Sequence, residues 1–151
     1  MIEENIKRIK LELPQGVELV AVSKFHSTEE IMEAYNAGQR AFGENRPQEL
    51  AAKVPNLPKD IKWHFLGHLQ KNKIKMVLPY ASLIQSVDTE ELLYAIDRYA
   101  SSHNIKTKVL LEMHIAHEDT KQGFSSEEVL ALLNRLKSNP LSSTTICGLM
   151  G

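Results

Sequence analysis

Lys24 closes the run Val17-Glu18-Leu19-Val20-Ala21-Val22-Ser23, which is short, mostly apolar and rich in β-branched residues. Such a run reads as a strand buried on both faces. The lysine then sits at a strand's carboxyl end, where α/β folds gather their sites. An amine placed there attacks an aldehyde carbon only in its uncharged form. A lysine at an ordinary pKa of about 10.4 is neutral in roughly 0.04% of molecules at neutral pH, and one desolvated to about 8 in roughly 10%. Schiff-base chemistry therefore calls for a lysine in largely apolar surroundings. The competing reading is a lysine leaving the strand for solvent, and spacing alone favours it.

Gly43-Glu44-Asn45 offers a tight turn and an amide at the end of a second strand-like run. On spacing alone Asn45 reads first as the N-cap of the following helix, a role compatible with ligand contact. His64 and His68 are four apart, but Trp63-His64-Phe65-Leu66-Gly67 reads as a strand, where i, i+4 ligands do not converge. His114 and His117 have no Cys partner and no clear acidic one, so a structural metal is not expected. His64 is instead expected to point into the mouth of the fold or to pack beside Trp63. Lys71, Lys73 and Lys75 read as a solvated helix face rather than a phosphate site. No Gly-x-Gly-x-x-Gly, Walker or Gly-x-Ser-x-Gly pattern is present.

The elements that must position these residues alternate along the chain. Ile2, Ile6, Ile9 and Leu13 mark an amphipathic helix over 2–12, ended by Pro14 and Gly16. The strand at 17–24 follows. Ser27 and Glu30 form a capping box for a helix that carries Ile31, Ala34 and Tyr35 and stops at Gly38. A strand at 40–43 leads to a helix ending near Lys53, where Pro55 and Pro58 forbid its continuation. A strand at 63–67, a helical segment at 70–78 and a strand at 82–87 come next. Asp88 and Glu91 suggest the cap of a helix whose inner stripe is Leu92, Ala95, Ile96 and Tyr99. A strand at 108–115 precedes a helix opened by Ser125 and Glu128 and carrying Val129, Leu132, Leu133 and Leu136. The last strand is 145–150. This alternation predicts a parallel sheet with crossover helices, closed as a barrel or left as a doubly wound sheet.

Composition narrows the function classes. The chain has 151 residues, with 18 Lys+Arg against 19 Asp+Glu, so no dominant electrostatic footprint for nucleic acid is expected. No apolar run reaches the roughly 20 residues that span a bilayer, and the N-terminus lacks a signal-peptide pattern. One cysteine, Cys147, excludes an internal disulfide and fits a reducing, cytoplasmic setting, with Cys147 itself a small apolar filler. A single domain over 1–151 is expected.

Several blocks, in order, resemble one family. They are Ala21-Val22-Ser23-Lys24, Phe42-Gly43-Glu44-Asn45 with Gln48-Glu49-Leu50, and Trp63-His64-Phe65-Leu66-Gly67-His68-Leu69-Gln70 with Asn72-Lys73. Ser86-Val87-Asp88, Lys121-Gln122-Gly123-Phe124 and Gly148-Leu149-Met150-Gly151 continue the series. Over essentially the whole chain the sequence resembles the YggS/PROSC family of pyridoxal-phosphate-binding homeostasis proteins. The resemblance implies a TIM-type β/α barrel similar to the N-terminal domain of alanine racemase. It implies pyridoxal 5′-phosphate held covalently as an internal aldimine of Lys24, with Asn45 near the cofactor; His64, expected in the barrel mouth, is taken as a third cofactor-binding position. It further implies a carrier or regulator in vitamin B6 and amino-acid balance, with no catalytic residues assigned. Storage needs only a reversible imine, whereas racemisation needs a second positioned acid/base.

The chain carries about six of the eight strands of such a barrel. The loops after strands seven and eight, where phosphate is normally gripped, are therefore expected to lie outside this sequence, and cofactor affinity to be weak. Strands one and six would be open edges, which a second copy of the chain could cover. The two alternatives are a racemase-like enzyme and a remnant that no longer holds the cofactor.

Overall fold

The computed structural model describes residues 1–115 and 122–151. His117 and Lys121, singled out from the sequence, lie outside the described residues. Helix α1 (Ile2–Glu12) is followed by β1 (Ala21–Val22), α2 (Thr28–Asn36), β2 (Ala41–Glu44) and α3 (Pro47–Lys53). Then come β3 (Lys62–Phe65), α4 (Ile74–Val77), β4 (Ala81–Val87), α5 (Glu90–Ser102), β5 (Thr107–Glu112), α6 (Ser126–Ser138) and β6 (Thr144–Met150). The six strands of the described residues form one parallel sheet in the order β1-β2-β3-β4-β5-β6. Sequential order with every pair parallel is the arrangement of a β/α barrel, and here β1 and β6 remain unjoined, so the barrel is open.

Alternation along the strands separates two faces. Ala21, Phe42, Trp63, Phe65, Ile84, Val109 and Leu111 point toward the helices and enter the core, with Leu50, Val77, Leu93, Ile96 and Leu132 packed from the helix side. The register pairs Val22 with Gly43, Gly43 with His64, and His64 with Leu83, so these residues share the opposite, concave face. Burial of the helix-facing set removes each aliphatic side chain from water at about 1.5–3 kcal/mol apiece, which is what fixes the strand phase.

Local capping follows the sequence. Ser27 accepts from the Glu30 N–H while Glu30 accepts from the Ser27 N–H, and Ser125 with Glu128 repeats the arrangement. Elsewhere tertiary context prevails. The strand expected over 17–24 forms ladder pairs only at Ala21 and Val22, opposite Phe42 and Gly43 of β2. Helix α5 is capped by Thr89, whose side chain accepts from the Leu92 N–H, and not by Asp88. The strand expected to reach residue 115 ends at Glu112, beyond which Met113 makes an isolated bridge to Phe124. The segment at 70–78 is a 3-10 turn, Lys71–Lys73, running into the short α4. Ile9 and Leu133, placed on inner stripes by periodicity, are exposed at 36% and 40%. Cys147 is exposed, not a buried filler: the ladder shifts between Val109 and Leu110, and Cys147 is the extra residue on β6.

Candidate functional site at the carboxyl edge of the sheet

Because all strands run parallel, the ends of β1, β2, β3, β4 and β5 lie along one edge. Lys24, Asn45, Gly67, Asp88 and Glu112 gather there. Lys24 follows β1 directly. The Ser23 N–H donates to the Gly43 carbonyl at 2.9 Å, continuing the pairing one step past Val22. Ser23 is buried toward the helix side, where its hydroxyl donates to Gly43 O and to Glu44 Oε2. Alternation from Ser23 therefore turns Lys24 to the concave face, with Val22 and Gly43. Lys24 is half-buried, and among the described residues its amine has no hydrogen bond and no ion pair.

Asn45 does not cap α3. The helix starts one residue later: Arg46 holds the N-cap position without a side-chain bond, and Pro47 follows, a residue suited to the first turn because it lacks an N–H. Asn45 is thus left half-buried at the end of β2, and its side chain makes no hydrogen bond among the described residues. Its backbone is tightly packed, for a Cβ on Gly67 would lie 2.1 Å from the Asn45 carbonyl oxygen. Leu66 N–H donates to Glu44 O at 2.9 Å, and the Ser86 hydroxyl donates to Gly67 O, so β2, β3 and β4 are locked together at this edge. Gly43 is closely packed too, for a Cβ there would fall 2.5 Å from Leu66 Cδ1 and 3.4 Å from Val20 Cγ1.

His64 lies one strand further on and one residue short of the edge, 7% exposed, on the same face as Gly43. Gln85 Nε2 donates to its Nδ1 at 2.8 Å, which leaves the ring proton on Nε2. Burial pushes the His64 pKa below its ordinary value, with Glu18 opposing and Lys62 assisting more weakly. The ring is neutral near pH 7 and faces away from Trp63, which packs in the core on the other side. Further along the edge, His68 Nδ1 lies 3.3 Å from Asp88 Oδ2. Glu112 is pushed above the usual carboxylate range by burial and by the Asp88 charge, against a smaller pull from His68. Among the described residues no three His, Cys, Asp or Glu side chains gather as a metal site, and no helix is long and apolar enough to cross a membrane.

Three residues under this edge escaped the sequence reading. Glu44 is fully buried, Lys53 is 8% exposed, and Glu49 lies between them and solvent. Lys53 Nζ donates to Glu44 Oε2 at 3.0 Å, Glu49 Oε2 at 2.7 Å and Ser23 O at 2.8 Å. The i, i+4 spacing of Glu49 and Lys53 is visible in the sequence, but it signals an ordinary helix-surface pair.

The sequence profile described as alanine racemase, N-terminal domain, matches residues 1–151. The chain belongs to this family. It is 39% identical over 125 residues to the pyridoxal phosphate homeostasis protein of Schizosaccharomyces pombe, covering 82% of this chain and 53% of that protein. The protein of the same name from Mus musculus is 36% identical over 163 residues, covering 99% of this chain and 58% of the mouse protein. The chain thus spans just over half the length of these curated relatives. The structure of PipY from Synechococcus elongatus PCC7942 with PLP bound superposes with a TM-score of 0.90 at 38% identity, covering 99% of this chain and 69% of PipY. Alanine racemase from E. faecalis, at 20% identity and a TM-score of 0.74, shares the fold. The barrel architecture and family expected from the sequence are thereby established.

Proposed function

We propose that this chain binds pyridoxal 5′-phosphate through the Lys24 amine, as a carrier or buffer in vitamin B6 homeostasis and not as a catalyst. The observation that carries the reading is the placement of Lys24: half-buried, on the concave face at the carboxyl edge, with no polar partner among the described residues. An aldehyde supplied by the cofactor condenses with this amine, forming one C=N bond and releasing one water. The chain's own residues do the rest. Gly43, paired with Val22 on the concave face beside Lys24, carries no side chain, so Leu66 packs directly against the strand there. Asn45 presents an uncommitted amide from the adjacent strand. His64 offers a neutral ring whose Nε2 proton is set by Gln85. These residues suit the reacting end of the molecule, so affinity in this chain rests on the amine more than on the phosphate and is expected to be weak. The names of the relatives favour a homeostatic role over turnover.

Titration with pyridoxal 5′-phosphate, followed by absorbance of the imine, tests the reading. An absorbance band that Lys24→Ala abolishes supports it; a band that survives the substitution, or no band, contradicts it. Interconversion of L- and D-alanine above background would contradict the non-catalytic part.

A further inference from the structure

We propose that the buried Glu44–Lys53–Glu49 network is a clamp that positions Lys24, with Lys53 as its central positioning residue. This inference rests on the cofactor reading above and goes beyond it. Lys24 is flanked by two backbone groups, and the network holds both. The carbonyl before it, Ser23 O, accepts from Lys53 Nζ at 2.8 Å. The amide after it, Phe25 N–H, donates to Glu49 Oε2 at 2.7 Å. Glu49 and Lys53 are themselves joined at 2.7 Å, and Glu44 anchors Lys53 from beneath while accepting from the Ser23 hydroxyl. The main chain is therefore gripped on either side of the residue whose amine must meet the ligand, while the Lys24 side chain itself is left without a polar partner among the described residues.

Two further features mark this as more than packing. Phe25 sits at φ 65°, in the left-handed region that a bulky residue adopts only when its surroundings impose it, and such residues cluster at functional sites. Its ring is 70% exposed, so burial of the phenyl group does not account for the conformation; the Glu49 bond to its N–H does, together with the Arg46 guanidinium 4.9 Å from the ring centre. The network is also costly to keep. Glu44 is completely buried, yet its Oε1 has no hydrogen-bond partner among the described residues. Replacing a buried ion pair by neutral groups of similar size is often neutral or stabilising, so stability alone is a poor reason for these charges. The turn after Val22 is also held by Ser23 N–H to Gly43 O at 2.9 Å and by His26 N–H to Ser23 O at 3.0 Å, and the clamp adds the grip on the Phe25 N–H.

The test uses Glu44→Gln/Lys53→Met, which removes both buried charges together and so avoids stranding one of them. Glu49→Ala, at a partly exposed position, releases the Phe25 N–H alone. Borohydride reduction with pyridoxal 5′-phosphate, followed by peptide mapping, measures linkage at Lys24. Pyridoxine 5′-phosphate, an alcohol that cannot condense with an amine, measures non-covalent affinity. Hydrogen exchange at the Phe25 amide is read on the cofactor-free chain. The double variant is expected to lose linkage at Lys24 on the order of tenfold, as misplacement of a reacting group does. Its thermal midpoint and alcohol affinity are expected to stay near those of the parent, with faster Phe25 exchange. Glu49→Ala is expected to show a smaller loss in the same direction. Linkage that is unchanged, or that falls in step with alcohol affinity, overturns the clamp. A parent chain that gives no product at Lys24 instead overturns the cofactor reading, and with it the purpose assigned to the clamp.

Discussion

Replacing Gly67 by alanine drives a methyl group into the backbone of the neighbouring strand end. The added carbon would lie 2.1 Å from Asn45 O, 2.9 Å from Asn45 C and 3.0 Å from Asn45 Cα. Against an ordinary carbon–oxygen separation of about 3.3 Å, the closest contact falls short by about 1.2 Å. No side-chain rotation relieves it, because the obstructing atoms are main chain. Retreat of Gly67 is resisted by the Ser86 hydroxyl bound to its carbonyl and by the Leu66 N–H bound to Glu44 O. Overpacking that forces backbone movement costs about 1–3 kcal/mol, and two pinned strands place this case at the upper end. With a urea slope of about 2 kcal/mol per molar, the unfolding midpoint should fall by roughly 1 M or more. Gly148→Ala is the matched control, since its Cβ would meet only Leu110 Cδ2 at 3.5 Å, an ordinary contact. Its midpoint should stay within about 0.5 kcal/mol of the parent. A Gly67→Ala chain that unfolds like the parent would refute the claim that the ends of β2 and β3 are held this closely, and with it the placement of Asn45.

Three further predictions concern the fold and its charges. Asp97 accepts from the Ser142 and Ser143 N–H groups at 3.0 and 2.8 Å; burial alone would raise its pKa, but these bonds outweigh it and the net shift is downward. Its contribution to stability is thus present above the usual carboxylate range and lost as pH falls through the lowered value, so Asp97→Ala should flatten the acid side of a stability–pH curve and cost about 1–2 kcal/mol at neutral pH. His64 has its pKa lowered, so on acidification the unfolded chain takes up that proton first. Stability from this site should be intact above about pH 7.5 and decline as pH falls through the ordinary histidine value near 6.5, a slope that His64→Gln should remove in urea titrations at several pH values. Ser125→Ala deletes one half of the α6 capping box and should cost about 1 kcal/mol by thermal unfolding.

The parts of this protein legible in its sequence are those decided locally. The capping boxes at Ser27 and Ser125 depend on residues three apart, and the alternation of strands with helices depends on runs of neighbouring residues; both read correctly. The length of β1 did not, because only Ala21 and Val22 of the apolar run pair with β2. Asn45 was misread as a cap although Pro47 carried the better signal for the start of α3. The clamp was hidden for a different reason. Glu44, Glu49 and Lys53 look like solvent-facing charges on a strand end and a helix, and only the turn at Ser23–Phe25 folding over them makes them buried partners. Gln85 became visible only once β4 was registered against β3.

The central claim is that a single amine, on Lys24, takes up the vitamin B6 aldehyde. Borohydride reduction of the chain mixed with pyridoxal 5′-phosphate, followed by mass mapping of every lysine-containing peptide, tests it most directly. One pyridoxyl adduct is expected on the peptide containing Lys24, in clear excess over exposed Lys7, Lys62 and Lys75, and it should disappear in Lys24→Ala. Adducts spread evenly over the surface lysines, with none enriched at Lys24, would contradict it.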